Sequence, residues 1–238
     1  MKLPLFYKPA ILQTDTSIVL DEAASKHIVM VLRMRAGEQL QLTDGKGSLF
    51  TVEIIDDNRK RCGVKVLSVT ATPAAQKKIT IAISPVKNNS RFEWFLEKAT
   101  EIGVSEIVPV ICARTEKQQF KYDRMNSILI SAMLQSQQSW LPVLSEPVKF
   151  IEYIKYVKDK AGLQKFIAHC EESSDKIFLH KHISILANQL ILIGPEGDFT
   201  KTEIDFALEN NFIPVALGQT RLRTETAGIV AATMLCNF

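Results

Sequence analysis

The fold is decided by two loops, LIGPEGDFT at residues 192–200 and LGQTRLRTET at residues 217–226. Each loop follows a short apolar strand and leads directly into a predicted helix. Gly194 and Gly197 bracket the turn of the first loop and let its backbone approach a ligand closely, while Pro195 between them restricts the backbone. In open α/β sheets, ligands bind outside the carboxyl ends of the strands. The two loops therefore predict a binding site at one edge of such a sheet.

Strands and helices alternate on both sides of these loops. The continuous apolar run at 79–84 is typical of a strand that is buried on both faces. Ser90 and Glu93 have the spacing of a helix capping box, and Thr200 and Glu203 have the same spacing. Further strands are predicted at 106–111, 165–170, 190–193 and 212–217, and further helices at 123–139, 147–160, 175–187, 200–210 and 224–235. This order predicts an open, mostly parallel α/β sheet in the C-terminal part of the chain.

The first 72 residues show a different pattern. Apolar and polar residues alternate at 39–43 and at 50–54, and the residues 44–47 between them have the composition of a tight turn. Asp21 can cap a single helix that interrupts the strands. Several short strands joined by turns predict a small N-terminal β-barrel.

Length and composition bound the class of protein. A chain of 238 residues can form one large domain or two modest ones. Residues 70–76 have the composition of a linker, so we predict one domain at 1–72 and a second at 77–238. With 46% apolar and 23% charged residues, the chain has the composition of a soluble globular protein. That composition excludes disordered, collagen-like and coiled-coil proteins.

The cysteines and the apolar segments exclude other classes. Cys62, Cys112, Cys170 and Cys236 are far apart and form no Cys-x-x-Cys pair, which argues against a metal site or a redox dithiol. The N-terminal segment lacks the apolar stretch of a signal peptide, and no window approaches a membrane span. We therefore predict a cytoplasmic protein with no metal and no membrane partner.

The net charge of +3 is too small to indicate nucleic-acid binding by itself. Basic residues are nevertheless denser in the predicted barrel, where they include Arg33, Arg35, Arg59, Lys60 and Arg61. They form either an ordinary solvated surface or a set of phosphate contacts, which position a nucleic acid without reading its sequence. Both interpretations are open at this point.

The two C-terminal loops also allow two interpretations. Each is either a well-capped turn between a strand and a helix or part of a ligand site, and their occurrence about 23 residues apart favours the site. Neither loop has the G-x-G-x-x-G or the G-x-x-x-x-G-K-[ST] pattern. A Rossmann dinucleotide site and a P-loop are therefore both disfavoured.

The segments GPEGDFT and LGQTRLRTETA together closely resemble the C-terminal signature of SPOUT-class methyltransferases. More narrowly, the chain resembles the family that methylates N3 of a uridine in bacterial 16S ribosomal RNA. His27, Leu32 and Arg33, the segment 97–104 on the first helix of the second domain, and Arg114 match as well, although the N-terminal matches are weak when taken alone. The resemblance covers essentially the whole chain.

The resemblance implies a fold that the sequence pattern alone does not reveal. Members of the family have a PUA-like N-terminal barrel and a catalytic domain with a deep C-terminal trefoil knot, and they form homodimers. The implied cofactor is S-adenosyl-L-methionine, with no metal. The implied partner is 16S ribosomal RNA or the assembled small ribosomal subunit.

The resemblance also implies site residues, to which chemistry assigns roles. We expect Arg223 to stabilise negative charge on the uracil oxygens, and Glu225 or Glu196 to orient that arginine or to act as a base. The expected cofactor contacts are Ile193, Gly194, Pro195, Glu196, Gly197, Leu217, Gly218, Leu222, Arg223 and Thr224. The expected RNA contacts are Arg33, Arg35, Arg59, Lys60, Arg61, Arg91 and Arg114.

Two departures from the family pattern and two rival functions stay open. Family members commonly carry a second glycine where this chain has Asp198, and the segment 134–140 lacks the family's usual charged residues, which puts a role for Gln135 in doubt. The first rival function is a SPOUT methyltransferase that acts on another RNA or nucleotide. The second is a non-catalytic RNA-binding assembly factor, against which the intact pair of cofactor loops argues.

Overall fold

The computed structural model describes residues 3–116, 119–171, 176–184 and 187–237. The chain divides into two compact units, one formed by Met1–Ala74 with Met133–Leu141 and the other by Ala75–Ala132 with Pro142–Phe238. In this division the short segment Met133–Leu141 belongs with the N-terminal unit, whereas the predicted domains were contiguous. The predicted boundaries at 72 and 77 stay a prediction.

The first unit is built on a curled five-stranded sheet with the strand order β1-β3-β4-β5-β2. Neighbouring strands are antiparallel except for β1 and β3. The strands are β1 Leu5–Tyr7, β2 Ser17–Val19, β3 Gln39–Thr43, β4 Ser48–Asp56 and β5 Gly63–Ala71. Helix α1, Glu22–Lys26, also lies in this unit. Alternate side chains of β3 and β4, among them Leu40, Leu42 and Phe50, are fully buried in its core. The predicted N-terminal β-structure is thus confirmed as a curled sheet.

The segment Met133–Leu141 closes onto the turn between β3 and β4. The N–H of Gly47 donates to the carbonyl of Ser139 at 2.9 Å, and the indole N–H of Trp140 donates to the carbonyl of Thr72 at 3.0 Å. Gly47 has φ +95°, and a Cβ there would lie 2.5 Å from the Trp140 ring, so only glycine fits. This packing gives the uncharged segment 134–140 a structural role in the first unit.

The second unit contains a sheet in which all pairs of neighbouring strands are parallel. Its order is β11-β13-β10-β12-β6-β7-β8, and β9 also pairs with β7. The strands are β6 Ile79–Ile83, β7 Glu106–Ile111, β8 Val143–Leu144, β9 Val148–Lys149, β10 Leu163–Ala168, β11 Ile177–Phe178, β12 Asn188–Ile193 and β13 Ile213–Ala216. The helices are α2 Asn89–Ile102, α3 Tyr122–Gln135, whose last residues lie in the first unit, α4 Phe150–Val157, α5 Lys201–Glu209 and α6 Thr224–Asn237.

This topology confirms the predicted parallel α/β sheet and determines where the two decisive loops lie. Because β13, β10 and β12 are neighbours and parallel, the segments that follow them leave the sheet at the same edge. The loop 194–200 follows β12, and the loop 217–223 follows β13. The trefoil knot stays a prediction from the resemblance.

Helix α6 packs closely on α2 and the sheet. Gly228 on α6 faces Phe95 of α2 and Ile83 of β6, and both of these side chains are fully buried. A Cβ at Gly228 would lie 2.6 Å from the Phe95 ring and 2.9 Å from the Ile83 side chain. The first turn of α6 is therefore held at a fixed distance from the sheet edge.

Two predicted helix details are wrong. The cap of α2 is Asn88, whose side chain accepts the N–H of Ser90 at 2.9 Å, so the helix begins before the predicted Ser90 capping box. The helix predicted at 175–187 is replaced, in its described part, by the strand Ile177–Phe178 and the 3₁₀ turn Leu179–Lys181. Residues 175, 185 and 186 of that prediction lie outside the described residues.

Candidate functional site

A two-lobed cleft lies at the carboxyl ends of β10, β12 and β13. The larger lobe has a volume of about 390 Å³, which lies in the range of small-molecule sites, and the smaller lobe adds about 260 Å³. Both lobes are lined by Ala168, Cys170, Arg221, Leu222 and Ala227, so they adjoin. The position matches the site predicted from the two loops.

Most of the predicted cofactor residues line this cleft. Those in the larger lobe are Ile193, Gly194, Pro195, Glu196, Leu222, Arg223 and Thr224, together with Glu225 and Arg91. Those in the smaller lobe are Leu217, Gly218 and Leu222. Gly197 is the exception, since it lines neither lobe. The structure thus brings the two motif loops together around one cavity.

The loop 194–200 is fixed to the helix that follows it and to α6. Thr200 and Glu203 form both halves of the predicted capping box at the start of α5. The second carboxylate oxygen of Glu203 accepts the N–H of Ala113 at 2.8 Å, which joins the loop to the end of β7. The hydroxyl of Thr224 donates to the carbonyl of Gly194 at 3.0 Å. These bonds hold the floor of the larger lobe.

Arg114 supports the same loop from outside. Its guanidinium donates to the carbonyl of Gly197 at 2.7 Å and to that of Phe199 at 3.4 Å. A Cβ on Gly197 would lie 3.3 Å from the Arg114 side chain, so the glycine lets that side chain pack closely against the loop. The predicted RNA-contact residue Arg114 is thus bonded to the loop, while its side chain remains exposed.

Residue 198 has a backbone conformation that glycine adopts without strain, but this chain has Asp198 there. Its φ is +62°, in the left-handed region. One carboxylate oxygen accepts the N–H of Cys170 at 2.7 Å, and the other accepts the N–H of Phe199 at 2.9 Å. Because aspartate tolerates left-handed backbone through such local bonds, the residue can replace glycine here and connect the loop to the end of β10.

The predicted catalytic residues lie at the start of α6. Glu225 is buried, and its carboxylate lies 3.7 Å from the Nε of the exposed Arg91. Arg223 is exposed and lines the larger lobe, and its guanidinium has no hydrogen-bond or ion-pair partner among the described residues. Arg223 is therefore available to a ligand, whereas Glu225 is held in place.

His169, Lys176 and Arg221 line the smaller lobe and were not assigned to the site from the sequence. His169 is buried, and neither of its ring nitrogens has a hydrogen-bond partner among the described residues. Burial, and to a smaller extent the Lys176 ammonium, lowers the pKa of His169. Lys176 donates to the carbonyls of His169 and Glu171, each at 2.6 Å. Arg221 lies within the second motif loop and His169 near the end of the strand predicted at 165–170, but neither was among the expected cofactor contacts, and no motif marked Lys176.

The basic residues of the first unit are exposed, and some of them are close together. Arg35 lies 3.4 Å from Asp57, at the turn that carries Arg59, Lys60 and Arg61. Arg33 stands two residues before Arg35 and has a left-handed φ of +58°. Arg35 and the 56–61 turn thus share one part of the surface.

The described residues offer neither a metal-binding cluster nor a membrane-spanning helix. No group of three or more His, Cys, Asp or Glu side chains in that part of the chain could hold a metal ion. No helix within the same ranges is long and apolar enough to cross a membrane.

Comparison with known proteins identifies both parts of the chain. Residues 73–236 match the RNA methyltransferase domain, and residues 20–67 match the RNA methyltransferase PUA domain. A probable rRNA methyltransferase from Porphyromonas gingivalis has 41% identity and a TM-score of 0.89, over 97% of this chain and 95% of that one.

Two relatives carry more specific names. The ribosomal RNA small subunit methyltransferase E from Neisseria gonorrhoeae was solved bound to S-adenosyl methionine. It has 30% identity and a TM-score of 0.85, over 97% of this chain and 95% of its own. The protein of the same name from Synechocystis has 28% identity over 93% of this chain and 73% of its own. Because the domain match covers more than half of the residues and confirms the resemblance seen in the motifs, the chain belongs to the RNA methyltransferase family.

Proposed function

We propose that this protein transfers a methyl group from S-adenosyl-L-methionine to N3 of a uridine in the 16S ribosomal RNA of the small subunit. The observation that carries the proposal is the two-lobed cleft, in which both motif loops meet at the carboxyl ends of β10, β12 and β13. The Neisseria relative, with a comparable fold, binds this cofactor and is named for action on the small-subunit RNA. The choice of uridine N3 rests on the resemblance of the motifs.

The residues of the smaller lobe fit the adenosine part of the cofactor. The backbone N–H groups of residues 218–222 have no hydrogen-bond partner within the described part of the chain, so they are free to bind the edge of a base. Leu217 and Leu222 supply apolar surface for a flat ring, and a Cβ at Gly218 would meet open space. The bound cofactor supplies its methyl group from a sulfonium, which needs no metal.

The larger lobe supplies polar side chains for the target base. Arg223 is proposed to donate to the uracil oxygens, where negative charge develops as N3 loses its proton. Glu225 is proposed to accept that proton or to hold Arg91 in position, since its buried carboxylate lies 3.7 Å from Arg91. N3 exchanges a bond to hydrogen for a bond to carbon, so one proton must leave the site. Alignment of N3 with the methyl carbon supplies much of the remaining rate.

The RNA is proposed to contact basic residues in both units. In the first unit these are Arg33, Arg35, Arg59, Lys60 and Arg61, and in the second they are Arg91 and Arg114. Arg35 and the 56–61 turn form a local patch, which supports phosphate contacts there in preference to a merely solvated surface. Arg91 lines the cleft itself and is therefore placed to meet the target nucleotide.

We further propose that the chain is a cytoplasmic homodimer with a trefoil knot in its second unit, as the family resemblance implies. A ribosomal RNA substrate requires the compartment in which ribosomes are assembled. Light scattering at micromolar concentration measures the mass directly, and a monomer would contradict the proposed dimer.

Two measurements test the proposed function. Calorimetry should show binding of S-adenosyl-L-methionine to the purified protein, and the absence of binding would contradict the methyltransferase assignment. Mass mapping of modified nucleosides in ribosomal RNA from a strain that lacks this protein should show the loss of one N3-methyluridine from 16S RNA. Loss of a different modification would replace the proposed target with another nucleotide.

Gly218→Ala tests whether the smaller lobe holds the cofactor. The added methyl group meets no protein atom within 4 Å, and Gly218 does not have a left-handed φ, so the melting temperature should not change. The methyl group would occupy ligand space, and we expect the affinity for S-adenosyl-L-methionine to fall about 10- to 100-fold. Calorimetry measures the affinity, and an unchanged value would place the adenosine elsewhere.

A further inference from the structure

Three carboxylates line the larger lobe, and they differ in what surrounds them. Glu225 lies 3.7 Å from the Arg91 guanidinium. Glu196 accepts the backbone N–H of Lys87 at 3.0 Å, and its charge also interacts with the Lys87 ammonium. Asp198 accepts the backbone N–H groups of Cys170 and Phe199, its charge also interacts with the Cys170 thiol, and no Lys or Arg nitrogen of the described residues lies within 4.0 Å of its carboxylate. Asp198 therefore has no ion-pair partner among the described residues.

The position of Asp198 is fixed at the junction of the lobes. Its carboxylate is bonded to the N–H of Cys170, a residue that lines both lobes. Two hydrogen bonds and a left-handed backbone leave the half-buried side chain little freedom. Arg221 also lines both lobes, but its exposed side chain is surrounded by water, which weakens its field.

A fixed carboxylate at this position interacts more favourably with the methyl donor than with the product that remains after methyl transfer. The methyl donor carries a positive sulfonium, and after transfer the sulfur is an uncharged thioether. The two molecules have nearly the same shape, so the site can distinguish them by the charge on the sulfur. A negative charge within several ångströms of the sulfur strengthens binding of the sulfonium and has little effect on binding of the thioether.

We propose that Asp198 is a specificity-determining residue that makes the cleft prefer S-adenosylmethionine over S-adenosylhomocysteine. The inference rests on the proposed function, because it assumes that the cleft binds this cofactor. It goes further by assigning a role to the residue at which the chain departs from the glycine common in the family. The preference reduces product inhibition, since the uncharged product gains nothing from Asp198.

Asp198→Asn is the direct test, because asparagine keeps the size of the side chain, tolerates left-handed backbone and removes the charge. Calorimetry would measure the dissociation constants of S-adenosylmethionine, S-adenosylhomocysteine and sinefungin, an analogue with an amine at the position of the methyl group. We expect the two cationic ligands to bind about tenfold more weakly and S-adenosylhomocysteine to change less than twofold.

Asp198→Gly distinguishes an effect of the charge from an effect of the side chain's hydrogen bonds on the loop. Glycine accepts the φ of +62° and removes both the charge and the bond to Cys170. The measured quantity is the affinity for S-adenosylmethionine divided by the affinity for S-adenosylhomocysteine. If the charge of Asp198 determines this ratio, both variants lower it by a similar factor, even if the individual affinities also change. The matched control is Asp205→Asn on the exposed face of α5, which should leave the ratio unchanged.

The outcomes separate the two proposals. If the unmodified protein binds S-adenosylmethionine and both Asp198 variants weaken all three ligands equally, Asp198 only supports the loop and this inference is wrong, while the proposed function stands. If the unmodified protein binds none of the three ligands, the proposed function fails and this inference falls with it.

Discussion

Replacement of Arg223 by alanine should reduce kcat by about two to three orders of magnitude and change the affinity for S-adenosyl-L-methionine by only a few-fold. Arg223 lines the larger lobe, is exposed, and has no partner among the described residues, so its removal disturbs little of the fold. The expected loss is large because the arginine would meet charge that develops only during the reaction. Interactions made only in the transition state lower kcat when they are removed.

The measurement is methyl incorporation into small-subunit RNA at saturating cofactor, paired with calorimetry of cofactor binding. Arg223→Lys is the matched variant, because it keeps the charge but loses the planar pair of donors, and it should recover part of the rate. An equal loss of turnover and of cofactor affinity in Arg223→Ala would reject the catalytic role and make Arg223 a binding residue.

Local signals made much of the site predictable. The Thr200 capping box depends on residues three apart and forms as the sequence predicts. Glycine is favoured at 194 because the Phe199 ring would lie 3.1 Å from a Cβ there, a tight contact within the same loop. The apolar strands before both loops lead to the same sheet edge. Interactions between residues this close in the chain can be recognised from a single sequence.

The features that the sequence did not reveal depend on distant partners. Asp198 is bonded to Cys170, 28 residues earlier, and Arg114 is bonded to carbonyls more than 80 residues later. The third residue in this class is Glu203, whose bond to Ala113 spans 90 positions. Spacing in the sequence carries no information about such pairs, since the fold alone brings them together.

The two wrong details have different causes, one local and one non-local. Asn88 competes with Ser90 for the start of α2, and asparagine is an equally good cap, so the pattern at Ser90 and Glu93 could not decide between them. The predicted helix at 175–187 failed in its described part because Ile177–Phe178 pairs with β13. Pairing with a neighbouring strand overrides a weak helical pattern.

Gly228→Val should destabilise the protein by about 3 kcal/mol, which lowers the melting temperature by roughly 10 °C. Glycine inside a helix normally costs about 1 kcal/mol relative to alanine, so a larger residue would help if space allowed. Here a Cβ would lie 2.6 Å from the Phe95 ring and 2.9 Å from Ile83. Both neighbours are fully buried, so neither can move without disturbing the core.

The same change should also weaken cofactor binding, because α6 begins with residues of the site. Thr224 is bonded to Gly194, and Glu225 stands three residues before Gly228, so a displaced α6 carries both away from the loop 194–200. Thermal denaturation and calorimetry measure the two effects.

Thr233→Val on an exposed position of α6 is the control and should change stability by less than about 0.5 kcal/mol. Gly228→Ala should give a smaller loss than valine. A valine variant with unchanged melting temperature would show that α6 does not depend on close contact with α2 and that Gly228 does not position Thr224 and Glu225.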